Sequence, residues 1–245
     1  MHRFFISGEN LRGGQVVLTG QQAHQIRSVL RMAPGDEIIV LDNTGCEYVV
    51  AITDLARQRA AGQVIDKRLA QGEPRTQITL YQALLAREKF EWVLQKCTEV
   101  GVTRFVPMVT ERSIVRRTDT ITPARLARWK TIVTESAEQS GRGRIPQLEC
   151  PLKFADALAG LGAFDRRLIA CPQTTGPTLR EILQAGRAES VAIALLIGPE
   201  GGFSDEEVAA ACEKGAVAMS LGKRILRTET AAVVASALIL YELEE

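Results

Sequence analysis

Histidine is the scarcest functional residue in this sequence: His2 and His24 are the only two in 245 residues. That supply does not support a histidine-rich metal site, and neither HExxH nor GxSxG occurs, which removes the zinc-peptidase and nucleophile-elbow readings. Cysteine is also thin and odd in number. Cys46, Cys97, Cys150, Cys171 and Cys212 form no CxxC pair, so reduced thiols in a reducing compartment are expected rather than a disulfide framework or zinc site. Long apolar runs are missing too. "VAIALLIG" and "AAVVASALILY" fall short of the roughly 20 residues that cross a bilayer, and "MHRFFISGEN" is too short for a secretory signal. The expectation is a cytoplasmic protein with no metal and no membrane partner. A large net charge is absent as well: the balance is +1, which by itself says nothing about nucleic acid.

What is present begins with 46 % apolar and 24 % charged residues, enough for a globular chain of one or two domains. The charge is uneven along it. Between Arg104 and Arg144 nine basic residues (Arg104, Arg112, Arg116, Arg117, Arg125, Arg128, Lys130, Arg142, Arg144) face four acids, Glu111, Asp119, Glu135 and Glu138. Such an excess could track a phosphate backbone or could be a solvated helix face.

The first seventy residues read as a β-rich unit. "QVVLT" and "DEIIVLD" are strands, and "CEYVVAIT" follows the turn "DNTG" as the second arm of a hairpin. One helix interrupts them, "GQQAHQIRSVLRM", ended by Pro34-Gly35. On it His24, Arg27 and Arg31 share one face at i, i+3 and i+7, with Ile26, Val29 and Leu30 on the core side. Residues 71–76 are a polar linker holding Gly72 and Pro74.

Beyond the linker, continuous apolar strands alternate with helices. "QITLYQALL", "VTRFVPMV", "RRLIAC", "VAIALLIG" and "VAMSLG" are the strands. "REKFEWVLQKCTEV", stopped by Gly101, "PARLARWKTIVTESAEQ", opened by Thr122-Pro123, "TLREILQAG", "SDEEV" and "TETAAVVASALILYELEE" are the helices. The pattern predicts an α/β domain with a largely parallel sheet buried on both faces.

Two loops interrupt that alternation where ligands of open α/β sheets bind, beyond strand carboxyl ends. "LIGPEGGFSDEEV" leaves a strand through Gly198, Gly201 and Gly202, after which Ser204 and Glu207 form a capping box. "LGKRILRTET" repeats the logic at Gly222, with Ile225 and Leu226 between basic residues. Neither loop is a standard phosphate loop. A Walker A motif ending at Gly222-Lys223 would need glycine at Val217 and Ser or Thr at Arg224, and Gly141 and Gly143 are followed by Pro146, so GxGxxG fails. Apolar side chains among loop amides suit an adenine-like ring better than a phosphate, although the glycines could be mere turns.

"LIGPEGGFSDEEV", "LGKRILRTETA", "ESAEQSGR" and "QKCTEVGVTRFVP", four motifs that stand in the family's order along the chain, resemble over essentially the whole chain the RsmE family of ribosomal RNA small-subunit methyltransferases, which are uridine-N3 specific. The resemblance implies a SPOUT-type α/β domain over 77–245 with a C-terminal trefoil knot, and a PUA-like β-rich RNA-binding domain over 1–70. It also implies S-adenosylmethionine as methyl donor, a homodimer, and small-subunit (16S) ribosomal RNA or the 30S particle as substrate. Carried over by position, Ala170, Pro172, Leu196, Gly198, Glu200, Gly201, Gly202, Leu221, Gly222, Ile225, Leu226 and Arg227 are the expected cofactor residues. "EQSGR" resembles the region where related SPOUT enzymes of other subfamilies place a functional arginine, here Arg142, and Arg227 is a second candidate to stabilise uracilate oxygens. For the N3 proton the options are Glu138, Glu200, Thr228 and Glu229, the last two being equally good as helix cap and first-turn acid. His24, Arg27 and Arg31 are the expected RNA contacts. Competing readings are a SPOUT enzyme acting on ribose 2′-hydroxyls or transfer RNA, and a non-catalytic ribosome-assembly factor.

Overall fold

In the computed structural model the described residues are 1–172, 176–184 and 191–244. The final two residues of "TLREILQAG" and the last residue of the chain therefore lie outside them. The chain divides into two compact units: Met1–Glu73 with Ala137–Ile145, and Pro74–Ser136 with Pro146–Glu245. The inclusion of residues 137–145 in the first unit was not legible in the linear pattern.

The first unit is a six-stranded mixed sheet. Its strands are β1 (Arg3–Phe5), β2 (Leu11–Arg12), β3 (Gln15–Thr19), β4 (Glu37–Leu41), β5 (Cys46–Leu55) and β6 (Arg59–Leu69), in the order β1-β4-β5-β6-β3-β2. Only β1 and β4 pair in parallel. The hairpin between β4 and β5 turns through Asn43 and Gly45, both with positive φ (65° and 97°). Alternation along β3 and β4 sends Val16, Leu18, Ile38 and Val40 into one apolar cluster with Ile26 and Val50.

The helix after β3 differs from its sequence pattern. α1 covers only Gly20–His24, and Gln25–Val29 continues as a π turn, with Leu30 N donating to Gln25 O at 2.9 Å. Arg31 then adopts φ 55°, a left-handed conformation that ends the helical path. The 3.6-residue period thus fails beyond His24. Ile26 is buried as expected, whereas Val29 is 65 % exposed.

The second unit carries an all-parallel sheet in the order β10-β8-β7-β12-β11-β13, with β9 paired to β8. The strands are β7 (Gln77–Ala83), β8 (Arg104–Val109), β9 (Gln147–Leu148), β10 (Leu152–Lys153), β11 (Arg166–Ala170), β12 (Ala192–Ile197) and β13 (Val217–Met219). The helices are α2 (Arg87–Val100), α3 (Pro123–Ser140, its last turn within the first unit), α4 (Phe154–Ala159), α5 (Leu179–Gln184), α6 (Asp205–Glu213) and α7 (Thr228–Glu244). β12 reads as an unbroken apolar run because both faces are covered: residues 193–197 are all at most 1 % exposed. Each such side chain contributes roughly 1.5–3 kcal/mol of burial. Gly101 closes α2 at φ 125°, and Thr122 Oγ1 accepts from Arg125 N at 3.3 Å to cap α3. Parallel pairing puts the carboxyl ends of β7, β12, β11 and β13 on one edge of the sheet, so both glycine loops emerge there.

The basic excess between Arg104 and Arg144 is largely absorbed by local partners. Arg104 pairs with Glu149, Arg117 with Asp119, Arg128 with Glu91 and Arg142 with Glu73. Arg125 lies over the Trp129 ring at 5.0 Å, and Arg144 donates to Thr44 O at 2.9 Å. No helix among the described residues is long and apolar enough to cross a membrane, and no cluster of three metal-ligating side chains occurs among them.

Candidate cofactor site of the parallel-sheet unit

The loops after β12 and β13, with the end of β11, enclose a cavity of about 330 Å³. Ala170, Cys171, Pro172, Ile197, Met219 and Leu221 give it an apolar wall, continued by Leu226 and Ala231. Lys89, Glu200, Arg224 and Arg227 supply the charge.

The glycines divide into two kinds. A Cβ on Gly198 would lie 3.2 Å from the Gly202 carbonyl carbon and from Phe203 N, so Gly198 serves close packing of the loop on itself. Gly202 and Gly222 have φ 69° and 112°, and a Cβ on either would meet nothing within 4 Å. Their backbone faces open space, as a ligand cradle requires.

Three groups of bonds fix the loops. Thr228, 6 % exposed at the start of α7, donates its hydroxyl to Gly198 O at 2.5 Å and accepts from Gln82 Nε2 at 3.2 Å. One hydroxyl thereby joins the second loop to the first. Arg112 Nη1 donates to Gly201 O at 3.2 Å and Phe203 O at 3.0 Å. The capping box of α6 is formed, with Glu207 Oε2 accepting from Ser204 N, while its Oε1 takes the amide of Glu111 at 2.8 Å.

The electrostatics centre on Lys89 and Glu200, whose Nζ and Oε1 are 2.8 Å apart. Burial pushes the Glu200 carboxyl upward, but the Lys89 hydrogen bond and charge outweigh it and hold the group below its ordinary value. The Glu200 hydrogen bond in turn raises Lys89. Burial, with the neighbouring Cys212, pushes the Cys171 thiol up to about 11, so it stays protonated at neutral pH. Glu229 Oε2 is buried with no hydrogen-bond partner among the described residues, and the Glu229 charge acts on Lys89.

Of the expected cofactor residues, Ala170, Pro172, Gly198, Glu200, Gly202, Leu221, Gly222, Ile225, Leu226 and Arg227 all line this one cavity. Leu196 does not. It is fully buried and joins Tyr81, Met108 and Phe203 in the core, because strand alternation gives the cavity to Ile197 instead. Gly201 is not a lining residue either, and a Cβ there would lie 3.2 Å from Arg112 Cβ. Arg142, Glu138 and Glu229 are not among the lining residues. Arg142 is 1 % exposed and paired to Glu73 at 2.9 Å, and Glu138 accepts from Phe5 N at 2.8 Å, all within the first unit. His24, Arg27 and Arg31 are exposed on that unit. The linear pattern missed Lys89, Cys171 and Met219. Lys89 had one signal: a cation in the first turn of a helix opposes the helix dipole and calls for another reason.

The RNA methyltransferase domain family matches residues 72–240, and the RNA methyltransferase PUA domain family matches residues 18–65. Ribosomal RNA small subunit methyltransferase E of Synechocystis sp. is 36 % identical over 239 residues, covering 97 % of this chain and 77 % of that protein. The chain belongs to the ribosomal RNA small subunit methyltransferase E family. The methyltransferase E of Bacillus subtilis is 30 % identical over 93 % of this chain and 90 % of its own. The crystal structure of methyltransferase E from Neisseria gonorrhoeae bound to S-adenosylmethionine superposes with TM-score 0.86 at 34 % identity, covering 98 % and 96 % of the two chains. A methyltransferase of Legionella pneumophila in complex with S-adenosylmethionine gives TM-score 0.86 at 30 % identity, over 97 % and 96 %. As a methyltransferase E, this chain is an RNA methyltransferase whose parallel-sheet unit is of the SPOUT type and whose N-terminal unit is PUA-like.

Proposed function

We propose that this chain transfers the methyl group of S-adenosylmethionine to N3 of a uridine in small-subunit (16S) ribosomal RNA. One observation carries the reading. The cavity is built by the two loops "GPEGG" and "LGKRILRTET", in a chain that follows a cofactor-bound methyltransferase E over 98 % of its length. The residues fit the cofactor: open backbone at Gly202 and Gly222, an apolar wall for an adenine ring, and charged groups for a polar tail.

S-adenosylmethionine, when bound, supplies a methyl group made electrophilic by a positively charged sulfur. The chain's own residues then have two tasks. They hold the acceptor in line with that methyl group, a positioning effect of up to roughly 7–11 kcal/mol. They also take the proton that uracil N3 carries. We assign the proton to Glu229, which stands next to the cavity-lining Thr228 without lining the cavity itself and whose buried Oε2 lacks a partner among the described residues, and charge stabilisation of the uracil oxygens to the cavity-lining Arg227. Arg142 and Glu138, bonded to Glu73 and Phe5, are assigned to holding the first unit together.

The Watson–Crick edge of the target must be exposed, so the base is unpaired or splayed out. His24, Arg27 and Arg31 are our candidates for phosphate contact, in a cytoplasmic protein acting on the 30S particle. A homodimer is part of the reading. α7 is apolar around its circumference yet leaves Leu238 45 % and Tyr241 60 % exposed, and α2, which packs against α7, leaves Trp92 41 % exposed.

The test is incubation with labelled S-adenosylmethionine and unmodified small-subunit particles, naked small-subunit RNA, large-subunit particles or transfer RNA, followed by nucleoside mapping. We expect 3-methyluridine in the small-subunit samples. Label only in a ribose, only in transfer RNA or in no sample refutes the assignment. Reversing Arg27 and Arg31 to Glu should weaken RNA association and leave cofactor affinity unchanged.

A further inference from the structure

We infer that Lys89 and Glu200 form a charged clasp for the α-amino-acid end of S-adenosylmethionine, Glu200 taking the ammonium group and Lys89 the carboxylate. The inference rests on the cofactor reading above and deepens it.

Both side chains line the cavity and meet at 2.8 Å, yet neither is buried: they are 38 % and 29 % exposed. Lys89 therefore keeps N–H groups, and Glu200 lone pairs, available to a ligand. Glu200 is the single acidic residue among those that line the cavity, and Lys89 is the single cation there outside residues 222–227. An α-amino acid carries opposite charges two bonds apart. Set against an ion pair, it completes a ring of alternating charge in which each protein group keeps its partner and gains a second.

Stability does not account for the pair. An exposed ion pair contributes about 0–1 kcal/mol. A cation in the first turn of α2 gives back a comparable amount, about 0.3–1 kcal/mol, to the helix dipole. Bracing of the loop is already supplied elsewhere, by Thr228 on Gly198, by Arg112 on Gly201 and Phe203, and by the Ser204 cap. The apolar wall has no group that would recognise a zwitterion. Since the transferred methyl group is remote from the amino acid in the covalent structure, the clasp binds donor and demethylated product alike. It acts on cofactor KM and not on kcat.

Three ligands separate recognition from bracing: S-adenosylmethionine, decarboxylated S-adenosylmethionine, and 5′-methylthioadenosine, which lacks the amino-acid end altogether. Calorimetric titration of wild type, Lys89→Met and Glu200→Gln against each is the experiment. Lys89→Met should weaken S-adenosylmethionine about tenfold, the scale of one charge-assisted hydrogen bond, and leave the other two within about twofold. Glu200→Gln should weaken both ammonium-bearing ligands and spare 5′-methylthioadenosine. Affinity for 5′-methylthioadenosine also reports an intact pocket in each variant. Equal losses for all three ligands, or no loss for any, overturn the clasp while leaving the cofactor reading standing. Failure of the wild-type protein to bind any of the three overturns the cofactor reading and the clasp with it.

Discussion

Thr228→Val is the sharpest perturbation of this site, because it removes one hydroxyl and almost no volume. The hydroxyl donates to Gly198 O at 2.5 Å and accepts from Gln82 Nε2 at 3.2 Å, in a side chain 6 % exposed. Valine leaves both partners behind. Two net hydrogen bonds are worth about 1–3 kcal/mol, and stranding two buried polar groups could double that. Two local facts argue for the lower half of the range. Gly198 borders the cavity, so its carbonyl can recruit water, and Gln82 Nε2 retains Ala83 O at 3.1 Å. We expect a loss of about 2 kcal/mol, which for a unit of this size lowers the melting temperature by roughly 4–8 °C.

Cofactor affinity is the second readout. The hydroxyl joins the two loops that enclose the cavity, so loosening it should raise the dissociation constant for S-adenosylmethionine about tenfold or more, while Thr228→Ser stays within a few-fold of wild type. Calorimetry and thermal denaturation on the three proteins suffice. A Thr228→Val protein with unchanged melting temperature and unchanged cofactor affinity would refute the staple. So would a serine variant as impaired as valine, since the methyl group would then be the part that matters.

Arg112→Gln should weaken cofactor binding several-fold with a small loss of about 1 kcal/mol, because two carbonyl contacts to residues 201 and 203 go while the cap of α6 remains; isothermal titration checks it. Gly222→Ala meets no atom within 4 Å, so its cost is the left-handed backbone at φ 112°, about 1–2 kcal/mol, read as a raised cofactor KM rather than unfolding. In the first unit, burial raises Glu47, but hydrogen bonds from Arg68 and Arg3 outweigh it and hold the carboxyl below its ordinary 4.5. A depressed folded-state pKa stabilises above the unfolded value and is lost as pH falls through the folded one. Glu47→Gln should therefore cost about 1–2 kcal/mol at pH 7, and the gap to wild type should close in denaturant titrations as pH falls below the ordinary carboxylate range.

The alternation of strand and helix beyond residue 77 was legible because the apolar runs and their caps agree. "REKFEWVLQKCTEV" coincides with α2 (Arg87–Val100), and "QVVLT" with β3 (Gln15–Thr19). β6 was not, since its later half, residues 65–69, is exposed throughout and has no alternating pattern to read. The π turn at Gln25–Val29 was equally hidden: a one-residue change in hydrogen-bond spacing rotates Val29 out to solvent without altering composition. The trefoil knot implied by the family resemblance corresponds to no periodicity at all. At the site, the glycine positions were readable but their division was not. Only packing distinguishes Gly198, pressed on Gly202 and Phe203, from Gly202 and Gly222, which face open space. Lys89 and Arg112 lie 111 and 89 residues from their loop partners Glu200 and Gly201, so no local motif could announce them.

Counting charge along the chain does not show which cations already hold partners, for a related reason. Nine basic residues between Arg104 and Arg144 fit a phosphate track or a solvated helix face equally in the linear pattern. Arg104, Arg117, Arg128 and Arg142 are spent on carboxylates, Arg112 and Arg144 on backbone carbonyls, and Arg125 on the Trp129 face. A guanidinium with its hydrogen-bond donors already used gains less from a phosphate than a free one, because each new bond replaces an existing one. Among the described residues only Arg116 and Lys130 of that stretch lack such a partner. Exposed cations also stand outside that stretch: His24, Arg27 and Arg31 in the first unit, and Lys223 and Arg224 on the cavity loop of the second.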